Sequence, residues 1–277
     1  MRLKYFFIIF LIVSFVSCDN FLDVMPDSRT QIDTPQKVKD LLVTSYQTAN
    51  YALLCEFSSD NIIDNRSESA TLKADAYDRM DTEIFEWRDV SSSTSSDSPY
   101  AIWQQFYQSI AAANLVLESI DNLIEGGETT DMSAQKGEAL LLRAYCHFIL
   151  VNIFAQPYKD ANLSQDDLGI TYMTKSEKKV LTEYKRNSVA EVYELIEKDI
   201  EEGIDLIDDK VYTQAKYHFT KAAASAFASQ FYLYKRDYNN VIKHANLVLG
   251  TGNPTSLFRD WITVYSNPIT QQGSWIS

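Results

Sequence analysis

Cys18 stands where sequence context predicts a covalent modification. An apolar stretch from Tyr5 to Val16 follows a basic first segment, and Ser17 then leads into Cys18. This order is typical of a signal peptide, and a cysteine at the cleavage position predicts lipoprotein processing, in which the thiol is acylated and becomes the new N-terminus. An ordinary secretory signal with a chance cysteine is the alternative. The residue three places before the cysteine is Phe15, where lipoproteins usually have Leu.

The apolar stretch before Cys18 is too short for a membrane-spanning helix. A helix from Tyr5 to Val16 would be about 18 Å long, whereas the hydrocarbon core of a bilayer is about 30 Å thick. We therefore expect residues 1–17 to be removed as a signal peptide, and residues 18–277 to form one mature domain that is tethered through lipid.

No residue pattern in the chain is typical of an enzyme. The sequence contains no G-x-S-x-G, G-x-x-x-x-G-K-[ST] or H-E-x-x-H motif. His147, His218 and His244 have no cysteine or carboxylate neighbours at metal-ligand spacing. A glycosidase pair could lie among the 38 acidic residues, but sequence alone cannot locate one. We predict no catalytic residues, no metal and no cofactor.

The charge of the chain excludes two classes of partner. The formal net charge is −13, and removal of Arg2 and Lys4 with the signal peptide changes it to −15. Because nucleic acid and anionic lipid headgroups would be repelled by such a surface, neither is an expected partner.

Capping signals predict where the helices begin. Thr34-Pro35 predicts a helix whose apolar face continues as far as Leu53, and Ser98-Pro99 predicts a long amphipathic helix that Gly126-Gly127 ends. Ser188 and Glu191 form a capping box before another helix.

Two further patterns complete the helical prediction. Residues 133–154 are apolar almost all round, which predicts a helix covered by others on most sides. Residues 219–236 and 239–249 predict an antiparallel pair with a degenerate tetratricopeptide pattern. The polar segments 55–99 and 155–187 are predicted to be long surface loops. The expected fold is mostly α, a scaffold of helix pairs with long irregular loops.

Three buried or reactive side chains are given structural roles. Cys55 and Cys146 lie in apolar segments, which favours two free, buried thiols, although a disulfide between them stays open in an oxidising compartment. Arg143 lies among apolar residues, so we expect it to pair with a carboxylate or with carbonyl groups rather than with a ligand.

Five segments of the chain together resemble the SusD-like (RagB/SusD) family of outer-membrane nutrient-binding lipoproteins. They occur in the family's order and cover nearly the whole mature chain: Cys18-Asp19-Asn20-Phe21-Leu22-Asp23 with Pro26; Trp103, Phe106, Tyr107, Ile110 and Asn114; Glu138-Ala139, Arg143-Ala144-Tyr145 and Phe148; Arg186, Ser188, Val192-Tyr193, Ile196 and Asp199; and Thr220-Lys221-Ala222-Ala223 with Tyr232-Leu233-Tyr234.

The resemblance implies a tetratricopeptide-like scaffold at the outer cell surface. Members of the family pass captured glycans, or in some cases peptides, to a SusC-like TonB-dependent transporter. They generally continue into a loop-rich C-terminal half, so we expect this chain to be a fragment or a truncated product.

Carbohydrate capture requires exposed aromatic rings with polar neighbours. Rings in polar segments are the candidates, and Trp103 is expected in the core because it lies at the base of an amphipathic helix. The alternative for each candidate is a loop anchor packed on the scaffold. The predicted ligand-binding residues are Tyr77, Trp87 and Tyr100, with Arg88 and Asp97 as polar partners.

The sequence thus predicts a cell-surface glycan-binding lipoprotein. A peptide-binding member of the same family and a protein-interaction scaffold with no small ligand are the alternatives.

Overall fold

Eight α-helices form most of the part of the chain that the structure, a computed structural model, describes: residues 32–63, 79–90, 95–177, 182–250, 252 and 254–260. Within these ranges no strand occurs, and one isolated β-bridge joins Leu168 to Ser188. The predicted mostly helical class is confirmed. The helices are Pro35–Thr44 (α1), Tyr51–Phe57 (α2), Arg79–Phe85 (α3), Pro99–Glu125 (α4), Ser133–Phe154 (α5), Val189–Leu206 (α6), Lys221–Lys235 (α7) and Tyr238–Leu249 (α8).

The predicted helix starts are confirmed by their capping bonds. The Thr34 and Ser98 hydroxyls accept hydrogen bonds from the backbone N–H groups three residues later, at 3.3 and 3.2 Å. Ser188 and Glu191 form both bonds of the capping box, at 3.2 and 2.9 Å. Each cap satisfies N–H groups that have no partner inside the helix, so a pattern of four residues is sufficient to place these starts.

The first predicted helix is wrong in its length. Helix α1 ends at Thr44, and a new helix begins at Tyr51 with Asn50 as its cap, whose side chain accepts from the Ala52 N–H at 3.2 Å. The Thr44 hydroxyl donates to the Leu41 carbonyl at 2.9 Å. This side-chain bond gives the carbonyl an alternative to a helical N–H partner at the helix end. Helix α3 also lies inside segment 55–99, which we predicted to be a loop.

Helix α5 is the centre of the fold. Sixteen of its residues are buried, and its main neighbours are α4 on one side and α6 on the other. In the described ranges it is the one helix long and apolar enough to cross a membrane, but 78% of that apolar window is buried inside the fold. It is therefore a core helix, as its composition predicted.

The segment between α5 and α6 is irregular, as predicted, but it is not confined to the surface. Ile170 is fully buried and Tyr172 nearly so, and Ser164 is also buried. This segment therefore packs against the core instead of looping away from it.

The last two helices form the predicted pair. Helix α7 ends at Lys235 and α8 begins at Tyr238, so only Arg236 and Asp237 connect them. The two helices contact each other along their length, with Tyr232 stacked on His244 at a ring distance of 5.5 Å.

The two cysteines that the structure describes are both free thiols, but only one is buried. Cys146 is buried, and burial raises the pKa of its thiol. Cys55 is exposed on α2, so its predicted burial is wrong. The prediction rested on apolar neighbours in the sequence, but no residue of α2 is buried.

Candidate ligand-binding surface

Trp87 follows the end of α3 in an unusual backbone conformation. Its φ is 54°, in the left-handed region, and its side chain is 79% exposed. The Arg88 N–H donates to the Glu83 carbonyl at 2.8 Å, and the Trp87 N–H donates to the Ile84 carbonyl at 3.0 Å. These two bonds define a Schellman helix end, in which the left-handed position is usually glycine.

Two other helices end in the same way and provide a comparison. After α4 the left-handed position is Gly127, with φ 94°, and after α7 it is Arg236, with φ 65°. A residue with a Cβ in this conformation costs roughly 1–2 kcal/mol. At Trp87 the chain therefore tolerates a strained conformation while it exposes a large aromatic ring to solvent.

Arg88 is paired next to Trp87. Its guanidinium lies 2.5 Å from a Glu86 carboxylate oxygen, and both side chains are about half exposed. A planar cation and a carboxylate beside an open ring are groups that can bond the hydroxyls of a ring-stacked ligand.

Tyr100 and Asp97 lie at the start of α4. The Tyr100 ring is 59% exposed, and its hydroxyl accepts from Gln104 Nε2 at 2.9 Å. Asp97 is partly buried, and its N–H donates to Ser95 Oγ at 3.3 Å within the turn before the helix. No hydrogen bond, ion pair or ring contact described for these segments joins this group to Trp87 and Arg88. Tyr77 and Cys18 lie outside the described residues.

The expectation that Trp103 belongs to the core is wrong. Its side chain is 37% exposed, with ring contacts to Tyr107 at 4.9 Å and to Phe154 at 5.1 Å. The apolar face of α4 turns toward α5 through Ile102 and Phe106, and Trp103 lies beside that face. The first turn of α4 therefore exposes two aromatic rings, Tyr100 and Trp103.

Arg143 has the structural role that the sequence predicted. Its Nε and Nη2 donate to the two carboxylate oxygens of Asp199 at 2.6 and 2.8 Å, and its Nη1 donates to Asn114 Oδ1 at 2.9 Å. The Tyr172 hydroxyl donates to the same Asp199 at 2.6 Å. This network joins α4, α5 and α6 to the segment around Tyr172.

A buried carboxylate also joins distant segments, and the sequence analysis missed it. Glu138 of α5 is fully buried, accepts a hydrogen bond from the Tyr46 hydroxyl, and lies 2.9 Å from His218 Nδ1. Burial and the nearby Glu138 raise the pKa of the Tyr46 hydroxyl. The sequence did contain a signal for this site: Glu138 is a carboxylate inside an apolar helix, and a carboxylate is rarely buried without partners.

Among the residues that the structure describes, no group of three or more His, Cys, Asp or Glu side chains could hold a metal ion.

Comparison with known proteins identifies the scaffold. A SusD-like family model, described as starch-binding associating with outer membrane, matches residues 20–233. The SusD-like protein P38 of Formosa agariphila is 25% identical over 235 residues, which are 80% of this chain and 40% of that protein.

Solved structures agree on the fold. A SusD superfamily protein from Bacteroides thetaiotaomicron has a TM-score of 0.60 and 18% identity, over 81% of this chain and 47% of that one. A laminarin-binding SusD-like protein has a TM-score of 0.54 and 20% identity, over 79% of this chain and 44% of that one.

The chain therefore spans less than half the length of each of these three relatives. The family model alone covers most of its 277 residues, in agreement with the resemblance seen in the sequence. The chain belongs to the SusD-like family.

Proposed function

We propose that this chain is a non-catalytic glycan-binding lipoprotein of the cell surface. Lipid on Cys18 tethers it to the outer membrane, and it delivers captured oligosaccharides to a SusC-like TonB-dependent transporter. The description of its family as starch-binding and associated with the outer membrane supports the ligand class and the location. A structural neighbour that binds laminarin supports the same class.

The exposed ring of Trp87 carries the proposal. A sugar ring presents an apolar face, and an aromatic side chain that is already solvent-exposed and fixed at the backbone can bind that face without reorganisation. The strained conformation of Trp87 is consistent with a functional position, because strain of this kind tends to cluster at binding sites. Arg88 and Glu86 supply polar groups for the hydroxyls.

The test is calorimetric titration of the protein with maltohexaose and laminarihexaose. In Trp87→Ala the backbone strain remains but the ring is lost. We expect affinity to fall at least about tenfold, since covering such a ring contributes about 1.5 kcal/mol or more. Unchanged affinity in this variant would remove Trp87 from the site.

The variant Trp87→Gly distinguishes an effect on stability from an effect on ligand binding. Glycine adopts the left-handed conformation without cost, so this variant should unfold at an equal or higher urea concentration while binding is lost. Arg236→Gly is the matched control, because it relieves the same kind of strain at the end of α7. It should gain similar stability and keep wild-type affinity.

The same titrations address the other two classes of function. Heat from short peptides and none from sugars would identify a peptide-binding member of the family. No heat from either ligand would favour a scaffold for protein partners.

A further inference from the structure

A crevice lies on α4 away from its first turn. It has a volume of about 630 Å³ and is formed by the second half of α4 and by described residues between 174 and 184. This volume is within the range of small-ligand pockets, roughly 300–1,000 Å³. Nothing in the proposed function uses it.

One wall of the crevice is fixed in place by the buried polar network. Asn114 Nδ2 donates to the Met173 and Lys175 carbonyls at 3.0 and 3.3 Å, and Arg143 Nη1 donates to the Thr174 carbonyl at 3.4 Å. The wall is thus bonded directly to α4 and α5. It is linked to α6 through the bond between Arg143 and Asp199. A ligand would therefore meet a preorganised surface.

The crevice contains a partly exposed aromatic ring. Tyr184 is 46% exposed and lines the crevice together with Leu117. The ring and Leu117 together provide the apolar surface that a sugar ring needs.

The polar lining is predominantly acidic, with three carboxylates, Glu118, Asp121 and Glu177, and one amine, Lys175. Asp121 and Asn122 are exposed on α4, and Lys175 lies on the opposite wall. The Ser176 hydroxyl is buried at the crevice and has no hydrogen-bond partner in the structure. Carboxylate oxygens accept hydrogen bonds from hydroxyl groups, so this lining suits a neutral, hydroxyl-rich ligand better than an anion.

We propose that this crevice is a second carbohydrate subsite, in which a sugar ring stacks on Tyr184 and its hydroxyls bond Asp121 and Asn122. Its ligand class rests on the proposed function, but its residues are independent of Trp87. We therefore expect a substitution in either subsite to lower the affinity by its own amount.

The experiment compares four proteins by calorimetric titration with maltohexaose and laminarihexaose: wild type, Trp87→Ala, Tyr184→Ala and the double variant. We expect Tyr184→Ala to weaken binding at least threefold, and the double variant to bind more weakly than either single variant. Tyr184→Phe keeps the ring and should retain most of the affinity. Tyr238→Ala removes an exposed tyrosine from α8 and should change nothing.

The outcomes separate the two proposals. Affinity lost with Trp87→Ala but unchanged by Tyr184→Ala overturns the second subsite and leaves the proposed function standing. The reverse pattern supports the crevice and removes Trp87. Equal losses in Tyr184→Ala and Tyr238→Ala also overturn the subsite, as does the absence of heat in all proteins. Circular dichroism melting of each variant confirms that it is folded before titration.

Discussion

His147 is held as a neutral imidazole by two hydrogen bonds of opposite sense. Its Nδ1 lies 2.8 Å from the Arg143 carbonyl, which can only accept, and its Nε2 accepts from the Met173 N–H at 3.0 Å. The ring is fully buried and stacked on Tyr172 at 3.8 Å. A second proton on Nε2 would face the Met173 N–H, so the bonding pattern excludes the charged form.

The buried imidazole predicts a pH dependence of stability. Burial lowers the pKa of His147 to about 3. The unfolded state, with a pKa of about 6.5, binds more protons between these values, so the contribution is full above about pH 6.5 and is lost as the pH falls. Between pH 7.5 and 5.5 the wild type should lose about 1.4 kcal/mol more unfolding free energy than His147→Gln.

Urea titrations of both proteins at the two pH values provide this measurement. The carboxylates titrate in both proteins, so the difference between the two isolates His147. Parallel pH profiles would show that the imidazole is not buried in the neutral form.

At the scale of the helices, the close approach of α5 and α6 depends on two glycines. A Cβ on Gly137 would lie 2.7 Å from the Gly203 carbonyl oxygen and 2.8 Å from Leu206 Cβ. A Cβ on Gly203 would lie 2.9 Å from the Gly137 carbonyl oxygen. The obstacles are two carbonyl oxygens and a Cβ, and since none of these atoms moves when a side chain rotates, only a shift of the helices could relieve the contacts.

Gly137→Ala should therefore destabilise the fold although alanine favours a helix. The expected loss of unfolding free energy is about 2 kcal/mol, in the range of overpacked cores. Gly252→Ala is the matched control, since nothing lies within 4 Å of the Cβ it would add. Urea midpoints of the two variants check the prediction, and similar midpoints would contradict a close helix crossing.

At the scale of the whole molecule, the proposed membrane attachment would depend on one residue. We propose lipid on Cys18 because the apolar stretch before it is too short to span a bilayer, and acyl chains would then supply the membrane affinity. Helix α5, which has a composition that could cross a membrane, is mostly buried in the core.

Cys18→Ala should abolish incorporation of a clickable fatty acid and move the protein from the membrane fraction to the soluble fraction, or leave it unprocessed. Cys55→Ala removes an exposed thiol and should retain both the label and the membrane attachment. In-gel fluorescence after metabolic labelling gives the result. Label that persists in Cys18→Ala would place the lipid on another residue.

Structural features that depend on residues close together in the chain, such as helix starts, could be predicted from the sequence. The caps at Thr34, Ser98 and Ser188 act within four residues, and the buried position of α5 follows from its composition. The order of the five motifs identified the family for the same reason, since each motif reports a local structure. The exposure of Trp87 and Tyr100 was not decided by their polar surroundings, because packing of each ring on the scaffold was the alternative.

Only the tertiary structure decided which distant groups meet. Asp199 lies 56 residues from Arg143, and the Tyr184 crevice depends on carbonyls bonded from another helix, so no local pattern announces either one. The exposure of Trp103 and Cys55 was likewise set by how α4 and α2 pack. Local hydrogen bonds fix where a helix starts, whereas burial and long-range pairing depend on the free energy of the whole packed chain.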